Sequence, residues 1–115
     1  MTRHRYFIAR PGGVIEPATL LEFARWFEAS HTTPFERGGR RVAFARLEGG
    51  VEVSTVFLGM DYCVCDGPAL LFETMIFSGP HDQYQNRYPT VEEARAGHAA
   101  AVRLACGEPE PEQLP

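Results

Sequence analysis

Arg41-Val-Ala-Phe-Ala-Arg-Leu-Glu-Gly-Gly-Val-Glu-Val-Ser-Thr-Val-Phe-Leu-Gly-Met60 decides the fold class. Two runs rich in β-branched and aromatic residues, Arg41 to Leu47 and Val51 to Met60, flank Glu48-Gly49-Gly50. That pattern predicts a β-hairpin, because glycine supplies the positive φ angles of a tight turn. Alternation in the second run puts Val51, Val53, Thr55 and Phe57 on one face, and Glu52, Ser54, Val56 and Leu58 on the other. The second face changes from polar to apolar along its length, as expected of a strand that enters the middle of a sheet.

Outward from the hairpin, Leu70 to Ser78 is a strongly apolar run and predicts a central strand. Arg5 to Arg10 predicts a short strand, ended by the turn Pro11-Gly12-Gly13. Pro17 is expected to open a helix, at a first-turn position where its missing N–H costs nothing. Leu20, Phe23, Ala24 and Phe27 recur at helical spacing as its buried stripe, widened by Leu21 and Trp26. Thr90 stands three residues before Glu93, a capping-box spacing, and predicts a final helix. Val91, Ala94, His98, Ala101, Val102 and Ala105 form its inward stripe, and Gly107 ends it. Asp61 to Ala69 and Gly79 to Pro89 are expected to be loops. The order β-α-β-β-β-α predicts an α+β fold: a mostly antiparallel four-stranded sheet with two helices packed on one face. The other face is left to solvent or a partner.

The chain has 115 residues, 44% hydrophobic and 23% charged, which fits a single folded domain. Residues 1–106 are expected to form it, and 107–115 an acidic Pro/Glu tail too polar to pack a core. Net charge is −4. Glu108, Glu110 and Glu112 lie in that tail, so the body is nearly neutral. Neutrality speaks against a strongly basic nucleic-acid binder and against a strongly acidic nucleic-acid mimic. All 11 basic residues are arginine, as GC-rich coding would produce. Three cysteines, an odd count, speak against a secreted disulfide framework. No signal-peptide pattern and no apolar run of about 20 residues is visible. A cytoplasmic setting is therefore expected.

Three stretches resemble a group of short proteins encoded by phages and prophages of GC-rich bacteria. They are Val53-Ser-Thr-Val-Phe-Leu-Gly-Met-Asp61, Gly67-Pro-Ala-Leu-Leu-Phe-Glu-Thr-Met-Ile-Phe-Ser-Gly-Pro80 and Tyr88-Pro-Thr-Val-Glu-Glu-Ala-Arg-Ala-Gly-His98. The resemblance spans the middle and C-terminal half and carries no catalytic residue. It implies phage ancestry and the cytoplasm of a bacterial host. Small phage proteins without enzyme motifs often bind and block a host protein, anti-CRISPR proteins among them. The expected partner is thus a host protein or complex, with no cofactor. The Cys63-Val64-Cys65 stretch departs from that group, whose loop there is richer in glycine and aromatics.

Within the chain, Pro80-His-Asp-Gln-Tyr-Gln-Asn-Arg-Tyr-Pro89 is the candidate recognition loop. Tyr84 and Tyr88 offer large contact area for few lost rotamers, and Arg87 a forked donor. Asp82 and Gln83 supply adaptable hydrogen bonds. The plain alternative is a loop whose tyrosines cap the sheet edge. Other residues carry competing readings. Glu73, in the middle of an apolar strand, is either a general acid or base or the partner of an arginine, with Arg46 placed to meet it. Cys63 and Cys65, with His81 or Asp61, have the donor types for a metal but lack the second spaced pair of zinc sites. Cys106 reads as a small buried hydrophobe. His98 reads as a hydrogen-bonded boundary histidine. Arg3, His4, Arg5 and Arg10, with Arg37, Arg40 and Arg41, form basic clusters of the kind that touch RNA or phosphate, or else simply face water. Gly12-Gly13 lacks the Gly-Lys-Ser/Thr end of a phosphate loop and reads as a turn. An exposed sheet face or edge also offers a second copy of the chain a place to pair.

Overall fold

The computed structural model describes residues 4–30, 32–61 and 67–107. Their elements are β1 (Tyr6–Arg10), β2 (Val14–Ala18), α1 (Leu20–Ala29), β3 (Arg41–Arg46), β4 (Glu52–Phe57), β5 (Phe72–Phe77), β6 (Gln85–Tyr88) and α2 (Val91–Ala105). The fold is α+β. An antiparallel four-stranded sheet has the order β3-β4-β5-β6, and β1 and β2 form a separate antiparallel pair.

The predicted hairpin is β3–β4, closed by a short 3-10 turn over Glu48–Gly50. Val53, Thr55 and Phe57 of β4 stand opposite Ile76, Thr74 and Phe72 of β5, and all six are fully buried. They form the inner face of the sheet. α2 lies across it, with Ala94 and Ala101 fully buried beneath. Their methyl side chains let the helix approach the sheet closely. Thr90 caps α2 by accepting from the Glu93 N–H, which satisfies one of the free amides of the first turn. At the other end of the inner face Phe35, Phe57 and Phe72 pack ring on ring, with centroids 5.3–5.4 Å apart. Trp26 of α1 joins them edge-on to Phe57, and its indole N–H donates to the Gly38 carbonyl at 2.7 Å. α1 thus reaches the same face as α2, but it is carried there by the β1–β2 hairpin.

Several local expectations are corrected. The first strand pairs with β2 and not within the main sheet. Its place there is taken by β6, inside the segment expected to be a loop. Pro17 lies in β2 opposite Phe7. A two-stranded ribbon has outward edges, where a residue without an N–H breaks no ladder bond. α1 begins after Thr19, whose hydroxyl accepts from the Glu22 N–H while the Glu22 carboxylate accepts from the Thr19 N–H, a complete capping box. The stripe assigned to the core of α1 is mostly outside: Phe23 is buried, whereas Leu20 is 60% exposed. The second strand of the hairpin ends at Phe57. Gly59, at φ +74°, turns the chain toward β1, where the Phe7 N–H donates to the Gly59 carbonyl at 2.7 Å. A side chain at 59 would collide with the Phe23 ring and the Phe7 carbonyl. The acidic tail from residue 108 lies outside the described residues.

Candidate protein-binding face

Alternation along β4 and β5 sends Glu52, Ser54 and Val56, and Glu73, Met75 and Phe77, to the outer face of the sheet. The register extends this into three rows. Arg46, Glu52 and Phe77 form one. Phe44, Ser54, Met75 and Gln85 form the next. Arg41, Val56, Glu73 and Arg87 form the third. Among the described elements, both helices lie on the opposite side. Phe44 and Phe77 are therefore 40% and 42% exposed, with half-buried Ser54 and Met75 beside Phe44 in its row.

Charged groups frame these apolar side chains. Arg46 grips Glu52 through Nε at 3.0 Å and a terminal nitrogen at 2.6 Å. The Arg41 guanidinium lies 5.0 Å over the Phe44 ring, a cation–π stack that holds both side chains. Glu73 is nearly buried. Its Oε2 accepts from Arg87 Nε at 2.9 Å and from the Gln85 amide. The expected Arg46–Glu73 pair is thus replaced by Arg87–Glu73, because β6 places Arg87 directly opposite Glu73. Two donors on one oxygen hold the carboxylate as an acceptor. No nucleophile or second acid stands beside it among the described contacts.

The expected recognition loop is divided by the fold. Asp82 is exposed, but its Oδ1 accepts from the Ser78 N–H at 2.6 Å and so braces the β5–β6 turn. Gln83 is exposed, at φ +72°. Tyr84 is half-buried against Val53, Ile76 and Ala101. Tyr88 is only 8% exposed and belongs to the main core, which corrects its reading as contact area. Alternation is the cause: Tyr88 pairs with Phe72 on the inner face, while Gln85 and Arg87 point outward. Both tyrosines fill the sheet's inner side. Gln85 and Arg87 remain at the rim of the open face.

The remaining candidates resolve as follows. His98 Nδ1 lies 2.8 Å from Thr55 Oγ1, which lies 2.5 Å from Thr74 Oγ1. A hydroxyl beside an imidazole has the groups of a nucleophile and base. Thr55 and Thr74 are fully buried, however, so no substrate atom reaches them. Burial holds the His98 pKa below its usual value. Cys63 and Cys65 lie outside the described residues, and Cys106 is exposed, contrary to expectation. Among the described residues no three His, Cys, Asp or Glu side chains gather to hold a metal. Arg10, Arg46, Arg87 and Arg95 each pair with a glutamate: Glu16, Glu52, Glu73 and Glu36. Of the basic clusters expected to touch RNA or phosphate, Arg10 is thus matched by an acid. No described helix is long and apolar enough to cross a membrane. No protein-family model matches the chain, and neither a curated protein nor a solved structure does.

Proposed function

We propose that this domain is a non-catalytic binding protein that recognises a protein partner through the outer face of its four-stranded sheet. One observation carries the reading. Two aromatic side chains, Phe44 and Phe77, remain about two-fifths exposed on a face that neither helix covers, with ion pairs around them. Apolar anchors inside a polar rim are the usual anatomy of a protein–protein contact. The Thr55–Thr74 hydroxyls beside His98 are buried and Glu73 is held by Arg87, which favours binding over chemistry.

The choice of partner rests on the resemblance to short phage-encoded proteins. A host protein is proposed, and its inhibition as the outcome, with a defence component such as a CRISPR–Cas complex as the leading target. A binding face without catalytic groups suits an inhibitor that acts by occupying a surface.

Affinity capture from a host lysate tests this, comparing the wild-type chain with a Phe44→Ser/Phe77→Ser variant. Both positions are exposed, so the variant keeps its fold by circular dichroism. The wild type is expected to retain a specific partner that the variant loses. Equal retention by both would remove the outer face from the proposal, and no specific retention by either would remove the function.

A further inference from the structure

Arg41 stands on the outer face because β3 carries a bulge. Ala43 pairs with Thr55, so an unbroken ladder would set Arg41 opposite Phe57, whose ring is fully buried. Arg41 pairs with Val56 instead. The extra residue is Val42, which packs against the core cluster that holds Phe35, Phe57 and Phe72. One inserted residue therefore exchanges the faces: the valine turns in and the arginine turns out. The loop before β3 pins this geometry. The Arg41 N–H donates to the Thr33 carbonyl at 3.1 Å, and the Arg41 carbonyl accepts from the Phe35 N–H at 2.8 Å. The guanidinium delivered in this way is exposed and lies over Phe44. Stacking uses the flat side of the group and leaves its N–H donors, which lie in the plane, for another acceptor. Arg46 and Arg87, the other arginines of the three rows, are bonded to Glu52 and Glu73. Among the described residues no carboxylate pairs with Arg41.

We infer that the protein partner sets an Asp or Glu carboxylate against Arg41, with an apolar side chain beside it on Phe44 and Met75. This rests on the sheet-face reading and names the chemistry that the face selects. A planar fork held in one place matches the two oxygens of a carboxylate, and the ring beneath it reduces the freedom lost on pairing. Phe44 and Met75 share the neighbouring row and give the adjoining side chain an apolar seat. Arg41 thus acts as the specificity residue of the face, while Arg46 and Arg87 stay occupied. A single-stranded nucleic acid also offers flat rings and anions, but its backbone calls for a track of free cations. Here Glu52 and Glu73 stand on the same face and hold the other two arginines.

Selection of a random dodecapeptide library on the full-length chain tests this. Enriched peptides are expected to carry Asp or Glu within about four positions of an aromatic or large aliphatic residue, the reach of neighbours on one helix or strand face. Bound to the chain with 13C-labelled methionine methyl groups, they should shift Met75 and leave Met60, which lines an apolar groove beside α1. Arg41→Gln, at an exposed position, should keep its fold by circular dichroism and bind the same peptide about tenfold more weakly. Changing the peptide's acid to its amide should cost the wild type as much and cost Arg41→Gln nothing further. Arg41→Lys should recover only part of the loss, because an ammonium has no planar fork. Enriched peptides without an acid, or equal losses from the amide peptide in wild type and Arg41→Gln, would overturn the inference; if those peptides still shift Met75, the sheet-face reading survives it. Peptides that leave Met75 unmoved would count against both. Displacement of the peptide by oligouridylate, or no enrichment at all, would overturn the inference as well.

Discussion

The phenol of Tyr88 occupies the space that a side chain at Gly97 would need: a Cβ at position 97 would overlap the hydroxyl and the ring carbon that bears it. A glycine in the middle of α2 costs about 1 kcal/mol of helix propensity relative to alanine. Here that cost lets the last strand and the last helix meet. Gly97→Ala is therefore expected to destabilise the domain by about 2 kcal/mol despite the gain in propensity, because the buried ring must shift to admit the methyl group. The Tyr88 hydroxyl is buried and has no hydrogen-bond partner among the described residues. Tyr88→Phe should accordingly be neutral or stabilise by up to about 1 kcal/mol. Urea unfolding of the two variants checks both signs.

His98 makes stability depend on pH. Burial lowers its pKa from the usual 6.5, so the unfolded chain takes up a proton at higher pH than the folded one. Its contribution is fully present above about pH 6.5 and is lost as pH falls from there through the folded-state value. With the imidazole protonated only at Nε2, Thr74 donates to Thr55 and Thr55 to Nδ1; a proton on Nδ1 reverses the chain. The urea midpoint should fall between pH 7.5 and 5.5, and His98→Gln should flatten that dependence.

Glu73 and Arg87 separate a structural pair from a functional acid. Arg87→Ala leaves a nearly buried carboxylate with only the Gln85 amide and should cost about 1–3 kcal/mol, the lower end reflecting the partial exposure of Arg87. A Glu73→Leu/Arg87→Leu variant should recover most of that loss, since removing both charges leaves none unpaired. A double-mutant cycle by urea unfolding measures the coupling.

The four-stranded core was legible because its signals are strong and local. Gly49-Gly50 marks the β3–β4 turn, and alternation from Val51 to Phe57 grouped Val53, Thr55 and Phe57 on one face, the face the fold buries. β6 was missed because its residues are polar, although Tyr88, Asn86 and Tyr84 alternate with Arg87 and Gln85 in the period of a strand. In a strand this alternation puts both tyrosines on the face opposite Arg87. The start of α1 was misplaced at Pro17 because proline suits both a helix's first turn and an exposed strand edge. Thr19 and Glu22, spaced like Thr90 and Glu93, carried the decisive sign. Phe35 had no legible role: it sits in an irregular stretch and enters the core only because the loop from Thr33 folds back on β3, with the Phe35 N–H bonded to the Arg41 carbonyl. The open face was expected from two helices packing on one side, but which side chains stand in rows on it follows from strand order, which no single stretch of sequence encodes.

The methionines offer the most direct reading of the sheet-face account, since Met75 lies on the outer face and Met60 in the α1 groove. With 13C-labelled methionine methyl groups, titration with the captured partner protein should shift or broaden the Met75 signal and leave Met60 in place. A Met60 response with Met75 unmoved would contradict the assignment of the outer sheet face as the recognition surface.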